Sequence, residues 1–162
     1  DVRSKMKALV VYYSRTGKTK AAAELIAKKL NSDIEEIIDL KKRSGIIGYI
    51  FGGRDAMKKY LTQIKKPIKN PLKYDLVVIG TPLWASTMAP AIRTYIKKFK
   101  IKKAALFYTA GGSGSKKAFD DMRETIGSVK VAGELGLSGK DIRSGYAGKM
   151  DVFIKNIKKT GK

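Results

Sequence analysis

The stretch VVYYSRTGKT, residues 10–19, decides how this sequence is interpreted. It continues an apolar run that follows Lys7 and ends at Tyr13, as expected for a strand buried on both faces of a sheet. Beyond it, apolar residues recur with the spacing of one helix face, at Ala22, Leu25, Ile26 and Leu30. The stretch therefore predicts a buried strand over residues 7–13, a polar loop, and a helix over residues 17–30.

Strand and helix patterns alternate along the rest of the chain. Apolar runs predict strands over residues 33–38, 76–80, 103–109 and 129–137. Helical spacing predicts helices over residues 45–64, 89–99, 116–126 and 148–157. Parallel strands need crossover connections, so this alternation predicts an α/β fold with helices on both faces of the sheet. The predicted fold class is a three-layer, doubly wound, five-stranded parallel sheet in the order 2-1-3-4-5.

The predicted second helix, residues 45–64, is longer than a minimal crossover and contains several glycines. Two interpretations stay open. The segment is either simply the second helix of the fold, or a cover for a ligand site or an oligomer interface. In either case its helical spacing predicts that one set of side chains faces the core: Tyr49, Ile50, Met57, Tyr60, Leu61 and Ile64.

Composition excludes several chemistries. The 162 residues include 35 Lys and Arg against 14 Asp and Glu, for a formal charge of +21, and contain no His and no Cys. Zinc fingers, Ser-His-Asp triads, thiol nucleophiles and disulfides each need one of the two missing residue types. Any catalysis must therefore use carboxylates, Lys, Tyr, backbone amides or a cofactor.

The length fits one domain with a true core, and no internal repeat or linker suggests a second. We expect a single domain over residues 6–162, with residues 1–5 a leader that precedes a native start at Met6. No apolar run approaches the length of a membrane helix and no signal-peptide pattern appears, so we expect a cytoplasmic protein that is not an integral membrane protein.

The loop after the first strand suits a phosphate group. Gly17 allows close approach of the backbone, three hydroxyls can donate hydrogen bonds, and the first amides of the following helix favour an anion. A Walker A motif is excluded, because Tyr12 stands where that motif needs its first glycine. The alternative is a surface turn with a helix cap. The candidate phosphate-binding residues are Ser14, Arg15, Thr16, Gly17, Lys18 and Thr19.

Two further loops carry distinctive residues. The loop after the third strand holds the only tryptophan, Trp84, which either belongs to the core or offers an aromatic face to a planar ligand. The loop after the fourth strand is rich in glycine, and either forms a flexible turn or lets its backbone approach the rim of a ring. The candidate residues are Thr81, Pro82, Leu83, Trp84, Ala85, Ser86 and Thr87 in the first of these loops, and Thr109, Ala110, Gly111, Gly112, Ser113 and Gly114 in the second.

These three loops follow strands whose carboxyl ends the predicted topology brings to one crevice. Together they offer a phosphate site, a stacking face and polar contacts to a ring edge. A mononucleotide with a flat ring fits this set. A dinucleotide fits less well, because the chain has no Gly-x-Gly-x-x-Gly motif.

With these motifs the chain resembles a short-chain flavodoxin from Met6 to Lys159. Residues 10–19 resemble the family's phosphate signature, residues 80–84 resemble the loop that packs an aromatic residue on the isoalloxazine, and residues 109–114 resemble the loop at the pyrimidine edge. The resemblance implies noncovalent FMN as cofactor and electron transfer as activity, with the flavin carrying the redox chemistry. It implies that residues 14–19 bind the phosphate, residues 81–87 flank the ring, and residues 109–114 contact its edge.

The chain departs from the family's pattern in two places. The ring-flanking loop of flavodoxins typically contains a glycine, whereas residues 84–87 contain none. The usual second stacking aromatic is also not evident in the third loop, and Tyr108, Phe119 or Tyr146 are the candidates to replace it. Beyond that loop, Asp120 and Asp121 are expected to be solvated residues near a helix start rather than metal ligands.

The charge is a third departure, because flavodoxins are generally acidic. One interpretation is favourable placement of Lys at helix ends in a protein from a Lys-rich proteome. The other is attraction to an acidic partner, an anionic membrane surface or nucleic acid. No recognised binding motif accompanies the charge, so we expect no specific recognition of nucleic acid.

Three functions stay open at this point. The first is an electron carrier that passes electrons between redox partner proteins, with no catalytic residues of its own. The second is an enzyme similar to the flavodoxin-like NAD(P)H:quinone oxidoreductases. The third is a basic scaffold that binds an acidic partner or nucleic acid.

Overall fold

A computed structural model describes residues 5–161, and five parallel strands form its centre. They are β1 (Ala8–Tyr12), β2 (Asp33–Glu36), β3 (Leu76–Trp84), β5 (Lys103–Thr109) and β6 (Lys130–Leu137), in the spatial order β2-β1-β3-β5-β6. A two-residue strand, β4 (Thr87–Met88), pairs antiparallel with the end of β3. The α/β, flavodoxin-like fold is thus confirmed.

The predicted number of five strands is wrong, because the sheet has six. The third strand was expected to end at Gly80, but its backbone stays extended through Trp84 and pairs with β5 as far as Pro82. The chain then turns back, and Thr87 pairs with Trp84. Part of the predicted ring-flanking loop is therefore a small hairpin, which holds Trp84 more firmly than a free loop would.

Helices cover both faces of the sheet. They are α1 (Lys18–Leu30), α2 (Gly45–Met57), α3 (Pro90–Lys98), α4 (Lys116–Ile126), α5 (Gly139–Arg143) and α6 (Lys149–Thr160), with 3-10 turns at Pro71–Lys73 and Gly145–Gly148. The helices α1 and α6 pack on one face, where Ile26 and Phe153 belong to the same core cluster as Phe107 of β5. The helices α3 and α4 pack on the other face around Tyr95.

A glycine in β3 is required by the core. Gly80 lies beside the fully buried ring of Phe107, and a Cβ at position 80 would overlap that ring. Because Gly80 of β3 has no side chain, the ring of Phe107 on β5 has room beside it. Because the two residues are direct neighbours across the parallel pair, this fit also fixes the register of the two strands.

The helix α2 differs from its prediction. It ends at Met57 rather than at residue 64, and of the side chains predicted to face the core all except the half-buried Ile64 are exposed. The inner side consists instead of Gly48, Gly52, Asp55 and Ala56. Space is one reason: a Cβ on Gly48 would overlap the backbone of Arg43, so only glycine fits at this position of the inner side.

The expected leader falls largely outside the described residues, which exclude residues 1–4, and the single-domain boundaries stay a prediction. Within residues 5–161, no helix combines the length and the apolar character needed to cross a bilayer.

Candidate functional site

A cavity of about 480 Å³ opens where β1, β3 and β5 end. This volume lies in the range of ordinary small-molecule sites. All three loops singled out from the sequence contribute to its wall, together with one residue of α2. The lining residues are Arg15, Thr16, Lys18, Thr19, Tyr49, Pro82, Leu83, Trp84, Ser86, Thr109, Ala110, Gly111, Gly112 and Ser113.

Six of the predicted site residues do not line this cavity: Ser14, Gly17, Thr81, Ala85, Thr87 and Gly114. Several of these six make supporting contacts instead. The hydroxyl of Thr81 accepts a hydrogen bond from the backbone N–H of Ala89 at 2.9 Å, where α3 begins. Gly114 lies against Tyr108, and a Cβ there would overlap the phenol oxygen. Thr81 and Gly114 therefore support the conformation of the loops without lining the cavity.

The first loop has the geometry of an anion site. Gly17 adopts a left-handed conformation with φ 97° just before α1, and its N–H donates to the Ser14 hydroxyl at 3.0 Å. The first turn of α1 contains no acidic residue, so its free amides and the cation of Lys18 face no competing carboxylate in that turn. A phosphate group placed here would be stabilised by both.

Two hydroxyls join the first and third loops. The Oγ1 atoms of Thr19 and Thr109 lie 2.7 Å apart and are buried, so one donates a hydrogen bond to the other. This contact fixes the distance between the phosphate loop and the glycine-rich loop. The sequence placed both residues at the site but did not reveal their contact.

Arg15 is engaged by the backbone that leads into α2. Its Nε donates to the carbonyl oxygen of Arg43 at 2.9 Å, and its Nη2 donates to the carbonyl oxygen of Gly45 at 3.0 Å. Its guanidinium also lies 5.6 Å from the centre of the Tyr49 ring. Arg15, predicted as one of the phosphate-binding residues, therefore also connects the phosphate loop to α2.

Trp84 is held by an aromatic and a cationic neighbour. The ring of Tyr13 meets it edge-on at 5.5 Å, and the Arg43 guanidinium lies 5.6 Å from its centre. A Cβ at Gly52 would approach the indole to 2.9 Å, so α2 packs against Trp84 at a glycine. Burial, with the nearby charge of Asp39, raises the pKa of Tyr13 to about 12.

The second aromatic of the cavity is Tyr49, which the sequence analysis placed in the core. The three candidates proposed for this role lie elsewhere: Tyr108 and Phe119 pack on each other with ring centres 4.9 Å apart, and Tyr146 belongs to a 3-10 turn. None of the three lines the cavity. The reversed orientation of α2 is what brings Tyr49 to the site.

The turn between β3 and β4 has two residues with positive φ and no glycine. Ala85 has φ 49° and Ser86 has φ 62°. Positive φ at both central residues is the signature of a type I′ hairpin turn, in which glycine is strongly preferred at the second position. The chain thus accepts backbone strain immediately beside Trp84.

We expect Ser86→Gly to stabilise the protein by about 1 kcal/mol, because glycine removes the steric cost of the left-handed conformation. Urea denaturation monitored by circular dichroism measures the change. The matched control is Ser113→Gly, which removes a hydroxyl from the same cavity at a residue outside the positive-φ set. Equal effects of the two substitutions would contradict a strained turn.

Comparison with known proteins identifies the family. A family model described as flavodoxin matches residues 53–144, which is more than half of the chain. The chain belongs to the flavodoxin family. The resemblance seen in the sequence is therefore confirmed, although the matched segment begins after the phosphate loop. No protein with curated annotation matches this flavodoxin-family chain.

Solved structures agree with this assignment. A protein from Bacteroides eggerthii that is described as a flavoprotein is 26% identical to this flavodoxin-family chain, with a TM-score of 0.71. The match covers 91% of this chain and 98% of that one. A flavoprotein from Lactobacillus acidophilus in complex with FMN is 23% identical, with a TM-score of 0.70, over 86% and 97%. Flavodoxin 2 from Bacillus cereus is 18% identical, with a TM-score of 0.57, over 95% and 99%. The last two likenesses show the fold alone.

A buried ion pair supports the ring-flanking hairpin of this flavodoxin-family domain. The guanidinium of Arg93 in α3 and the carboxylate of Asp121 in α4 pair directly, and both also contact the hydroxyl of Thr87 in β4. Burial raises the pKa of Asp121, but hydrogen bonds from Arg93 and Thr87 outweigh it and lower the pKa below its usual value. The expectation that Asp121 is solvated is wrong, whereas Asp120 is exposed.

A second ion network fastens α2. Asp55, on the buried side of α2, accepts hydrogen bonds from Lys41 at 2.9 Å, from Arg43 at 3.0 Å and from Arg54 at 3.1 Å. Arg43 also donates to Asp39 at 2.6 Å. Burial raises the pKa of Asp55, but these cations more than compensate and lower it to about 2. In this flavodoxin-family chain, ion pairs hold the helix that carries Tyr49 together with its packing against Trp84.

Proposed function

We propose that this protein binds FMN noncovalently and carries electrons between redox partner proteins. The observation that supports the proposal most is the convergence of an anion site, two aromatic side chains and a glycine-rich edge on one cavity. The flavodoxin family model and the FMN complex of a protein with the same fold support the same cofactor.

The lining matches the parts of FMN one by one. The amides that begin α1, with Lys18 and the hydroxyl of Thr16, suit the phosphate. Trp84 and Tyr49 offer aromatic surface for the ring system. Gly111 and Gly112 have open space where a side chain would stand, so their backbone groups can approach the polar edge of the ring.

FMN supplies reversible uptake of electrons when it is bound. The residues of this chain bind and orient it, and the hydroxyl pair of Thr19 and Thr109 maintains the spacing of two binding loops. The family's carrier role needs nothing further from the side chains. The partner proteins are proposed as redox proteins, with an acidic surface complementary to the charge of +21.

Titration of the apoprotein with FMN, followed by flavin fluorescence, tests the proposal. We expect saturable binding that Trp84→Ala weakens about tenfold and Trp84→Phe weakens less, because an aromatic contact contributes about 1 kcal/mol beyond its buried area. We also expect Lys18→Gln to weaken FMN binding about tenfold, because a hydrogen bond to a charged group contributes about 1.5 kcal/mol or more.

Two controls assign the phosphate site. Lys20→Gln removes an exposed cation of the same helix that does not line the cavity, and should leave the affinity unchanged. Riboflavin, which lacks the phosphate, should bind much more weakly than FMN and should not respond to Lys18→Gln. Equal affinities for riboflavin and FMN would contradict the assignment of the first loop, and the absence of any saturable flavin binding would overturn the cofactor.

The loaded protein then distinguishes a carrier from an enzyme. A carrier accepts electrons from a partner reductase and passes them to a second protein, but does not oxidise NAD(P)H by itself. Rapid turnover of NAD(P)H with a quinone would instead assign it to the oxidoreductases.

A further inference from the structure

The outward side of α2 is an exposed apolar surface, here called the α2 apolar face. It comprises Ile46, Ile47, Ile50, Phe51 and Met57. Ile46 is 80% exposed and Ile50 is 60% exposed, although a helix on a domain of this kind ordinarily turns such residues inward. Most of the large exposed apolar side chains among the described residues lie between residues 38 and 68. Such a concentration marks an interaction surface.

The segment around this face is strongly cationic. Residues 41–70 contain nine Lys and Arg and a single carboxylate, Asp55, which is buried. The lysines that flank α2 in the chain are all exposed: Lys41, Lys42, Lys58 and Lys59. The only cation on the helix itself, Arg54, lies over the ring of Phe51 at 4.6 Å. The surface is therefore apolar along the helix, with exposed lysines at both of its ends, of which Lys41 pairs with Asp55 and Lys59 with Asp121.

The apolar residues along α2 and the lysines at its ends together indicate which class of partner this surface binds. A second copy of the chain would bring like charges together, because each copy carries +21. The α2 apolar face combines three isoleucines with Phe51 and Met57, and exposed lysines stand at both of its ends. An anionic bilayer surface complements this arrangement, because the exposed apolar side chains can enter the headgroup region while the flanking lysines meet lipid phosphates.

We propose that the α2 apolar face docks on the surface of a membrane that contains anionic phospholipids. The 13-residue helix is about 20 Å long, so it lies along the interface and does not cross the bilayer. The helix is already formed and attached before it meets lipid, since Gly52 packs on Trp84 and Asp55 binds three cations. The inference does not depend on FMN, because it concerns the side of α2 that faces solvent.

Vesicle sedimentation with the full chain tests the docking. We expect binding to vesicles of equimolar phosphatidylcholine and phosphatidylglycerol, and little binding to phosphatidylcholine alone. The double variant Ile46→Ser, Ile50→Ser keeps every charge and should weaken binding about tenfold or more, because two buried aliphatic side chains are lost from the contact. The control is Val152→Ser on α6, which removes an apolar side chain as exposed as Ile50 and should change the affinity less than twofold.

A fluorescent label separates insertion from electrostatic adhesion. The chain has no cysteine, so Ile50→Cys provides a single attachment site for an environment-sensitive dye, and Val152→Cys provides its control. We expect a blue shift on anionic vesicles at position 50 and none at position 152. Unchanged binding of the double variant, or a dye at position 50 that stays in water, would overturn the proposal and leave adhesion by lysine alone. Absence of vesicle binding would overturn the membrane proposal in favour of a protein partner. Self-association of a protein that does not bind vesicles would do the same if the double variant abolished that self-association.

Discussion

The Asp121→Asn variant is expected to lose about 4 kcal/mol of unfolding free energy, the largest effect we foresee for a change of one functional group. The substitution keeps the shape of the side chain but removes the charge that Arg93 faces in the interior. Arg93 would remain as a buried cation whose Nε already has no partner among the described residues. Urea denaturation at neutral pH measures the loss.

Two further variants locate this effect in the ion pair. Asp120→Asn changes the neighbouring, exposed carboxylate and should stay within about 0.5 kcal/mol of the parent protein. The double variant Arg93→Met, Asp121→Leu should be more stable than Asp121→Asn, because it leaves no unpaired charge in the interior. If Asp121→Asn and Asp120→Asn proved equally stable, the pair would contribute nothing to the fold.

Loss of this pair should also reach the cavity. The carboxylate of Asp121 anchors Thr87, and Thr87 pairs with Trp84 in the hairpin. We therefore expect Asp121→Asn to weaken FMN binding even when the variant is fully folded in the absence of urea. Asp120→Asn should leave FMN binding unchanged. The same titration that tests Trp84 measures this.

The Asp55→Asn variant is expected to lose about 3 kcal/mol of stability at pH 7, because three cations lose a common carboxylate and one of them, Arg43, is buried. The effect depends on pH in a defined direction. A carboxylate whose pKa is about 2 in the folded protein stabilises the fold above its usual pKa of about 4, and this stabilisation disappears as the pH falls towards 2. The difference between the parent protein and the variant should therefore narrow across that interval.

Denaturation midpoints between pH 7 and pH 2 test this dependence. The control is Asp151→Asn, which breaks an exposed pair with Lys29 and should cost about 0.5 kcal/mol or less at every pH. A difference between the parent protein and Asp55→Asn that stayed constant down to pH 2 would contradict the lowered pKa.

Much of the fold was predictable because its signals are local. The apolar runs that became β1, β3 and β5 are short, continuous and bounded by polar loops, so their type and their places along the chain were predicted correctly. The three loops were predictable for the same reason, since their positions follow from parallel topology and their residue types from the chemistry of a phosphate and a ring. The strand β4 escaped prediction, because two residues carry no periodic pattern.

The orientation of α2 was not predictable from its pattern. Its apolar side chains do have helical spacing, and the general rule turns such a stripe towards the core. The structure reverses this because glycine at positions 48 and 52 allows close backbone contact and Asp55 finds cations inside. These partners are distant in sequence, and no local signal connects Asp55 with Arg43 or Gly52 with Trp84. The role of Tyr49 was missed for the same reason.

The attachment of α2 gives this part of the fold its own response to ionic strength. Two of the three cations that hold Asp55, Lys41 and Arg54, are about half exposed, so added salt screens their attraction. The sheet and its other helices are held by apolar burial, which salting-out ions such as sulfate strengthen, and by the buried Arg93–Asp121 pair, which added salt screens little. A salting-out salt should therefore have opposite effects on the two parts of the domain. It should weaken the attachment of α2 beside the cavity and strengthen the apolar core beneath the cavity.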